Sequence, residues 1–253
     1  NKQKSILEIC KEKNYNVGLV VTSEIVHATP ACFYANVPSR YDYEDIALQL
    51  SEHNVDLFVG GGKKFFNKRK DKRNLLEEMT SYTFVDDFEG FKDSSSKKIG
   101  FLTYPGEPPP KNLGREPSLD MLTEVSLRKL SKDKSFFIMI EGSQIDWGGH
   151  DNSLNYILSE FKEFDLAIGK ALEFAKADGN TLVIVTADHE TGGMALSGGN
   201  VKRSRVRADF TTGEHSGSMV PVFSYGPYSE LFKGIYENTA IFDKMLSAVM
   251  SKN

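Results

Sequence analysis

The chain has 253 residues, 40% of them hydrophobic, enough for one sizeable α/β core or two small domains. Its net charge of −4 supplies no broad basic field for nucleic acid or an anionic membrane, and no apolar run reaches the roughly 18 residues of a membrane-spanning helix. Two cysteines, Cys10 and Cys32, exclude a disulfide-dense scaffold and a cysteine-based structural zinc site.

In chain order, Ile6 to Glu12 reads as a short helix and Val17 to Ser23 as a buried, β-branched strand. Pro30 is expected to open a helix through "ACFYANV", with Cys32 packed in that apolar stretch. Tyr43 to Glu52 is helical, Val55 to Gly62 is a strand running into a glycine turn, and Asn74 to Met79 is a helix. Lys98 to Tyr104 is a strand, followed by the proline-rich loop "PGEPPPKNLGREPS". Ser118 caps a helix to Leu130, with Met121 on its inner face. "SFFIMIEGS" is a buried strand, and Asn152 to Lys176 a long helix whose apolar side includes Leu154, Ile157, Phe161, Phe164, Ile168 and Leu172. "TLVIVTAD" and Val220 to Gly226 are the last strands, before a closing helix "TAIFDKMLSAVM". Two basic runs, Lys63 to Arg73 and Val201 to Arg207, read as solvated surface.

Short apolar strands alternating with helices argue an α/β fold with a mostly parallel central sheet and helices on both faces, one domain over 1–253. Ligands bind beyond the carboxyl ends of such strands. Those ends carry Glu24, His27 and Thr29; then Glu141, Asp146 and His150; then Asp188 and His189. His215 follows in "GEHSG". Four of the five histidines lie in these segments, and imidazoles with carboxylates form a zinc-type donor set. Asp146 and His150 are four apart, which fits one helix face or, through the glycines of "WGGH", a loop wrapped round an ion.

The segments "HATPACFYANVPSR", "EPSLDMLTEVSLRKL", "FFIMIEGSQIDWGGHDN", "TLVIVTADHETGG" and "GEHSGSMVPVFSYGP" together resemble alkaline phosphatases, in the family's order and over most of the chain. The resemblance implies hydrolysis of phosphate monoesters, releasing inorganic phosphate, through a phosphoserine with two zinc ions and one magnesium. It implies Asp146, His150 and His215 as ligands of the first zinc, Asp188 and His189 of the second, and Thr29 and Glu141 of the magnesium. Arg40 resembles the guanidinium that grips phosphate, while His27 and Trp147 occupy positions that tune the magnesium site and phosphate binding. Periplasmic or secreted localisation and a homodimer are further expectations of the family, with no nucleic-acid partner.

The family also uses a nucleophilic Ser and a bridging Asp ahead of the "HATP" segment. Neither has a counterpart in residues 1–26, and Asp93-Ser94 lies in a lysine-flanked polar loop. The chain is therefore expected to be a C-terminal portion, without the first strand and any signal peptide, and inactive or weakly active alone. It is also expected to associate with itself or with the missing segment. A metal- or phosphate-binding module completed by a separate chain is the alternative reading, and a related sulfatase or phosphodiesterase a lesser one.

Overall fold

The computed structural model describes residues 3–251, which form two compact units. One comprises the chain up to Pro109 together with Pro117–Glu141; the other comprises Pro110–Glu116 and the chain from Gly142 onward. Two of these junctions fall within the proline-rich loop, which reads in sequence as a connection inside a single domain.

The first unit is built on a parallel five-stranded sheet. Its elements are α1 (Ile6–Glu12), β1 (Asn16–Glu24), α2 (Ala28–Ala31), α3 (Tyr43–Glu52), β2 (Leu57–Gly61), α4 (Lys64–Asn67), α5 (Leu75–Glu78), β3 (Thr83–Val85), α6 (Phe88–Asp93), β4 (Ile99–Leu102), α7 (Leu119–Leu130) and β5 (Phe136–Glu141). The strand order is β3-β4-β2-β1-β5, and every pairing is parallel. β1 lies inside the sheet between β2 and β5 and reads as a continuous apolar run because Val17, Leu19, Val20 and Val21 are all buried. Gly18 lets α7 approach: a Cβ there would meet Leu130 Cδ1 at 2.5 Å.

Four expectations change here. α2 begins before Pro30 and ends at Ala31, so "CFYANV" is not helical. The carbonyl of Phe33 is taken by the Ser5 hydroxyl at 2.6 Å, and the Gln49 side chain brackets Asn36, drawing the chain out of the helix. Cys32, one step past that end, is exposed rather than packed. On α7, Met121 is 39% exposed, because it sits roughly 160° around the helix from Leu119. The buried stripe is Leu119, Leu122, Ser126 and Leu130, and Ser118 makes no side-chain cap.

The second unit contains α8 (Gln144–His150), α9 (Leu154–Asp178), β6 (Val183–Val185), β7 (Glu190–Thr191), β8 (Ala195–Asn200), β9 (Arg205–Asp209), β10 (His215–Ser216), β11 (Phe223–Tyr225) and α10 (Ala240–Met250). The last two expected strands are short and pair with each other: β6 and β11 run antiparallel, outside the parallel sheet. β7 pairs with β10, and β8 with β9, also antiparallel. On α9 the buried side includes Glu160 and Glu163, while Phe161 is 54% exposed. The buried Arg115 accounts for this, since its guanidinium donates to both carboxylates and fixes its own segment on the helix.

Candidate metal centre

Asp146 and His150 lie on α8, one turn apart, so both project from the same helix face. The glycines between them serve packing and not a wrapping loop. A Cβ on Gly148 would meet the Ile157 backbone nitrogen at 2.9 Å, and one on Gly149 would meet the Thr191 carbonyl oxygen at 2.8 Å. The second contact brings α8 against β7. β7 in turn pairs with β10 in the register His215↔Thr191, which delivers His215 to the face of α8.

The three side chains converge. His150 Nε2 is 3.4 Å from Asp146 Oδ1, His215 Nε2 is 3.6 Å from the same oxygen, and the two Nε2 atoms are 3.2 Å apart. Metal–ligand bonds of about 2.0–2.2 Å in a tetrahedron require donor separations of about 3.3–3.6 Å. The triangle, with separations of 3.2–3.6 Å, has about the dimensions of one face of such a tetrahedron. Asp146, His150 and His215 are also the group of ligating side chains found together among the described residues.

Neighbouring groups set the tautomers. A carbonyl only accepts, so His150 Nδ1 donates to the Gly213 oxygen at 2.7 Å and leaves Nε2 bare as a ligand. Thr191 Oγ1 donates its proton to Asp146 Oδ1, so its contact with His189 Nδ1 at 3.2 Å is accepted by the hydroxyl. His189 Nε2 is left bare as well. It lies 3.2 Å from Asp188 Oδ2, giving a second, two-donor set in the loop between β6 and β7. The His189 and His215 rings stack at 3.5 Å between centroids. Glu190 staples the strands, accepting from the Ser216 hydroxyl and from the Gly193 and Met194 N–H groups; the Ser216 bond leads in holding its carboxyl below the usual range.

The remaining expected residues distribute simply. Trp147 follows Asp146 on α8. His27 is the N-cap of α2, Thr29 lies within α2, Glu141 ends β5, and Arg40 is exposed in the connection to α3, all in the first unit. Thr191 and the Gly213 carbonyl were not singled out from sequence. Thr191 sits in "HETGG", two residues past His189, where only the strand pairing reveals its role. Also unforeseen is a carboxyl pair in the first unit, Glu24 buried and Glu107 with part of its surface exposed. Glu107 Oε1 accepts the Glu24 N–H at 3.0 Å, and Glu24 Oε1 lies 3.0 Å from Lys64 Nζ, an ion pair without hydrogen-bond alignment. Burial, and then the Glu24 charge, push the Glu107 carboxyl up to about 8.

Comparison with known proteins gives one answer. The family model described as alkaline phosphatase matches residues 1–209 and 200–251. Alkaline phosphatase 3 of Bacillus subtilis (strain 168) is 34% identical over 329 aligned positions, covering 97% of this chain and 70% of its own. The repressible alkaline phosphatase of Saccharomyces cerevisiae is 37% identical over 76% of this chain and 41% of its own. The solved alkaline phosphatase of the Antarctic bacterium TAB5 superposes with a TM-score of 0.91 at 45% identity, over 98% of this chain and 76% of that one. A variant of the TAB5 enzyme, solved with Mg bound in its M3 site, matches with the same score and identity.

Proposed function

From the premise that this chain belongs to the alkaline phosphatase family, we propose that it carries the metal- and phosphate-binding part of a zinc- and magnesium-dependent phosphate monoester hydrolase. The observation that carries the reading is the Asp146–His150–His215 triangle, whose donor types and separations suit one zinc ion with an open position. Zinc bound there would supply Lewis-acid polarisation of a phosphoryl oxygen and lower the pKa of a bound hydroxyl.

The chain's own residues do the rest. Gly213 and Thr191 hold the two histidines of α8 and the β6–β7 loop in the ligating tautomer. Asp188 and His189 supply two ligands of a second zinc, and Thr29 and Glu141 two ligands of a magnesium. The Mg-bound relative supports a magnesium assignment. Arg40 offers a planar guanidinium to two phosphate oxygens, with His27 and Trp147 adjusting the magnesium site and phosphate binding. No residue of 1–253 matches the family's nucleophilic Ser, so a phosphoserine mechanism draws that residue from outside this sequence.

Two measurements test this. Titration of the 253-residue chain with zinc should show a tight site that His150→Ala and His215→Ala each remove; unchanged binding in both overturns the metal assignment. Hydrolysis of p-nitrophenyl phosphate with zinc and magnesium should be very weak. Turnover at the rate of a full-length relative would show that the nucleophile is in this chain.

A further inference from the structure

We propose that the β8–β9 hairpin is a docking element for an anionic lipid surface. The hairpin joins the two metal-centre strands, entered through Gly192 and Gly193 at positive φ and left through Thr211 and Thr212, both bonded to the Gly192 carbonyl. Residues 195–209 hold Lys202, Arg203, Arg205 and Arg207 against one acid, Asp209, in a chain whose net charge is −4.

The two basic runs differ in kind. In the first, Lys63 pairs with Asp86, Lys64 with Glu24, Arg69 with Asp71 and Arg73 with Glu78. Four of the seven cations of that run thus have an acidic partner within their own unit. In the hairpin, Arg207 bonds only the hydroxyl and carbonyl of Ser197, and none of its four cations has an ion pair among the described residues.

The hairpin is also two-faced. Alternation along β9 sets Arg205 and Arg207 on one side and Val206 and Ala208 on the other, with Leu196 directly opposite Ala208. Leu196 is 69% exposed, and Val201 at the tip is 96% exposed. The tip is a turn in which Asn200 Oδ1 accepts the Arg203 N–H and Ser204 adopts the left-handed region. Cations beside exposed aliphatic side chains suit a lipid headgroup boundary. Residues 195–209 carry no aromatic ring on which bases would stack, which disfavours single-stranded nucleic acid.

Co-sedimentation of the full chain with vesicles of phosphatidylglycerol and phosphatidylcholine, and with phosphatidylcholine alone, tests the proposal. Binding is expected only to the anionic vesicles, and to fall at about 1 M salt, where the screening length is about 3 Å. The variant K202S/R203S/R205S should bind on the order of 100-fold more weakly, about fivefold per cation. L196S/V201S should weaken binding while keeping its salt dependence. Melting curves of both variants should match the parent, since the substituted side chains are exposed. Equal binding to both vesicle types, or no loss in the triple variant, overturns the proposal. So does binding of a single-stranded oligonucleotide without binding of vesicles.

Discussion

At His150 one ring nitrogen is committed to the Gly213 carbonyl, and at His189 one faces the Thr191 hydroxyl, so the opposite nitrogens are ready to ligate without a tautomer change. Orienting partners of this kind are typically worth 10–100-fold in metal affinity. Thr191→Val should therefore weaken zinc binding by about that factor with little change in melting temperature, measured by chelator competition. Gly149→Ala acts differently. Its methyl would lie 2.8 Å from the Thr191 carbonyl oxygen, forcing α8 and β7 apart at about 1–3 kcal/mol of stability and disturbing the triangle together with the fold. Urea denaturation alongside zinc titration separates the two cases. Asp146, His150 and His215 drew notice in the sequence because four of the five histidines fall in the segments at strand ends, and the family resemblance grouped these three. Thr191 was not, because threonine is common in strands and its partner is 45 residues away.

Among elements, the segment Lys111–Glu116 and α9 are joined by a buried guanidinium with two carboxylates, Arg115 with Glu160 and Glu163. Removing the cation alone leaves two buried acids, so Arg115→Met should destabilise the protein by about 3–5 kcal/mol. Replacing all three with apolar residues of similar volume should recover most of the loss, and equilibrium unfolding in urea compares them. The loop after β4 carries a pH-dependent term. Glu107 holds its proton to about pH 8 in the folded chain, against 4.5 ordinarily, because of burial and the neighbouring Glu24. Between those values the unfolded chain has released a proton that the folded chain retains, so stability falls as pH rises through this window and levels off above it. Glu107→Gln keeps an oxygen for the Glu24 N–H and should flatten the decline, seen as a smaller difference in denaturation midpoint between pH about 5 and pH about 8.

For the whole molecule, a ligand that binds only the folded state stabilises it, by about 2.7 kcal/mol at 100 times its dissociation constant. Zinc should accordingly raise the unfolding midpoint, and hydrogen exchange should slow around α8, β7 and β10 of the second unit. Loss of the effect in His215→Ala would tie it to the triangle. The division of the fold also explains what the sequence disclosed. β1, β2 and β4 were readable because strands buried in a parallel sheet are unbroken apolar runs, and β5, half-buried at the sheet edge, shares that apolar pattern. β6 and β11 looked alike by that criterion, yet they are three-residue strands in an antiparallel pair, and β7 and β10 are two residues each, too short for any periodicity. Phe161 was misplaced because the helical stripe was read from apolar residues alone, whereas two acids occupy that side of α9.

The Arg115 clamp has a consequence in time. Synthesis runs at about 5–20 residues per second, and Glu160 lies 45 positions after Arg115. A nascent chain thus carries the Lys111–Glu116 segment for about 2–9 seconds before its first carboxylate exists. In that interval β5, the last in sequence of the five strands described above, is completed. Until α9 has been made, Arg115 has neither of the carboxylates that hold its segment in the finished fold.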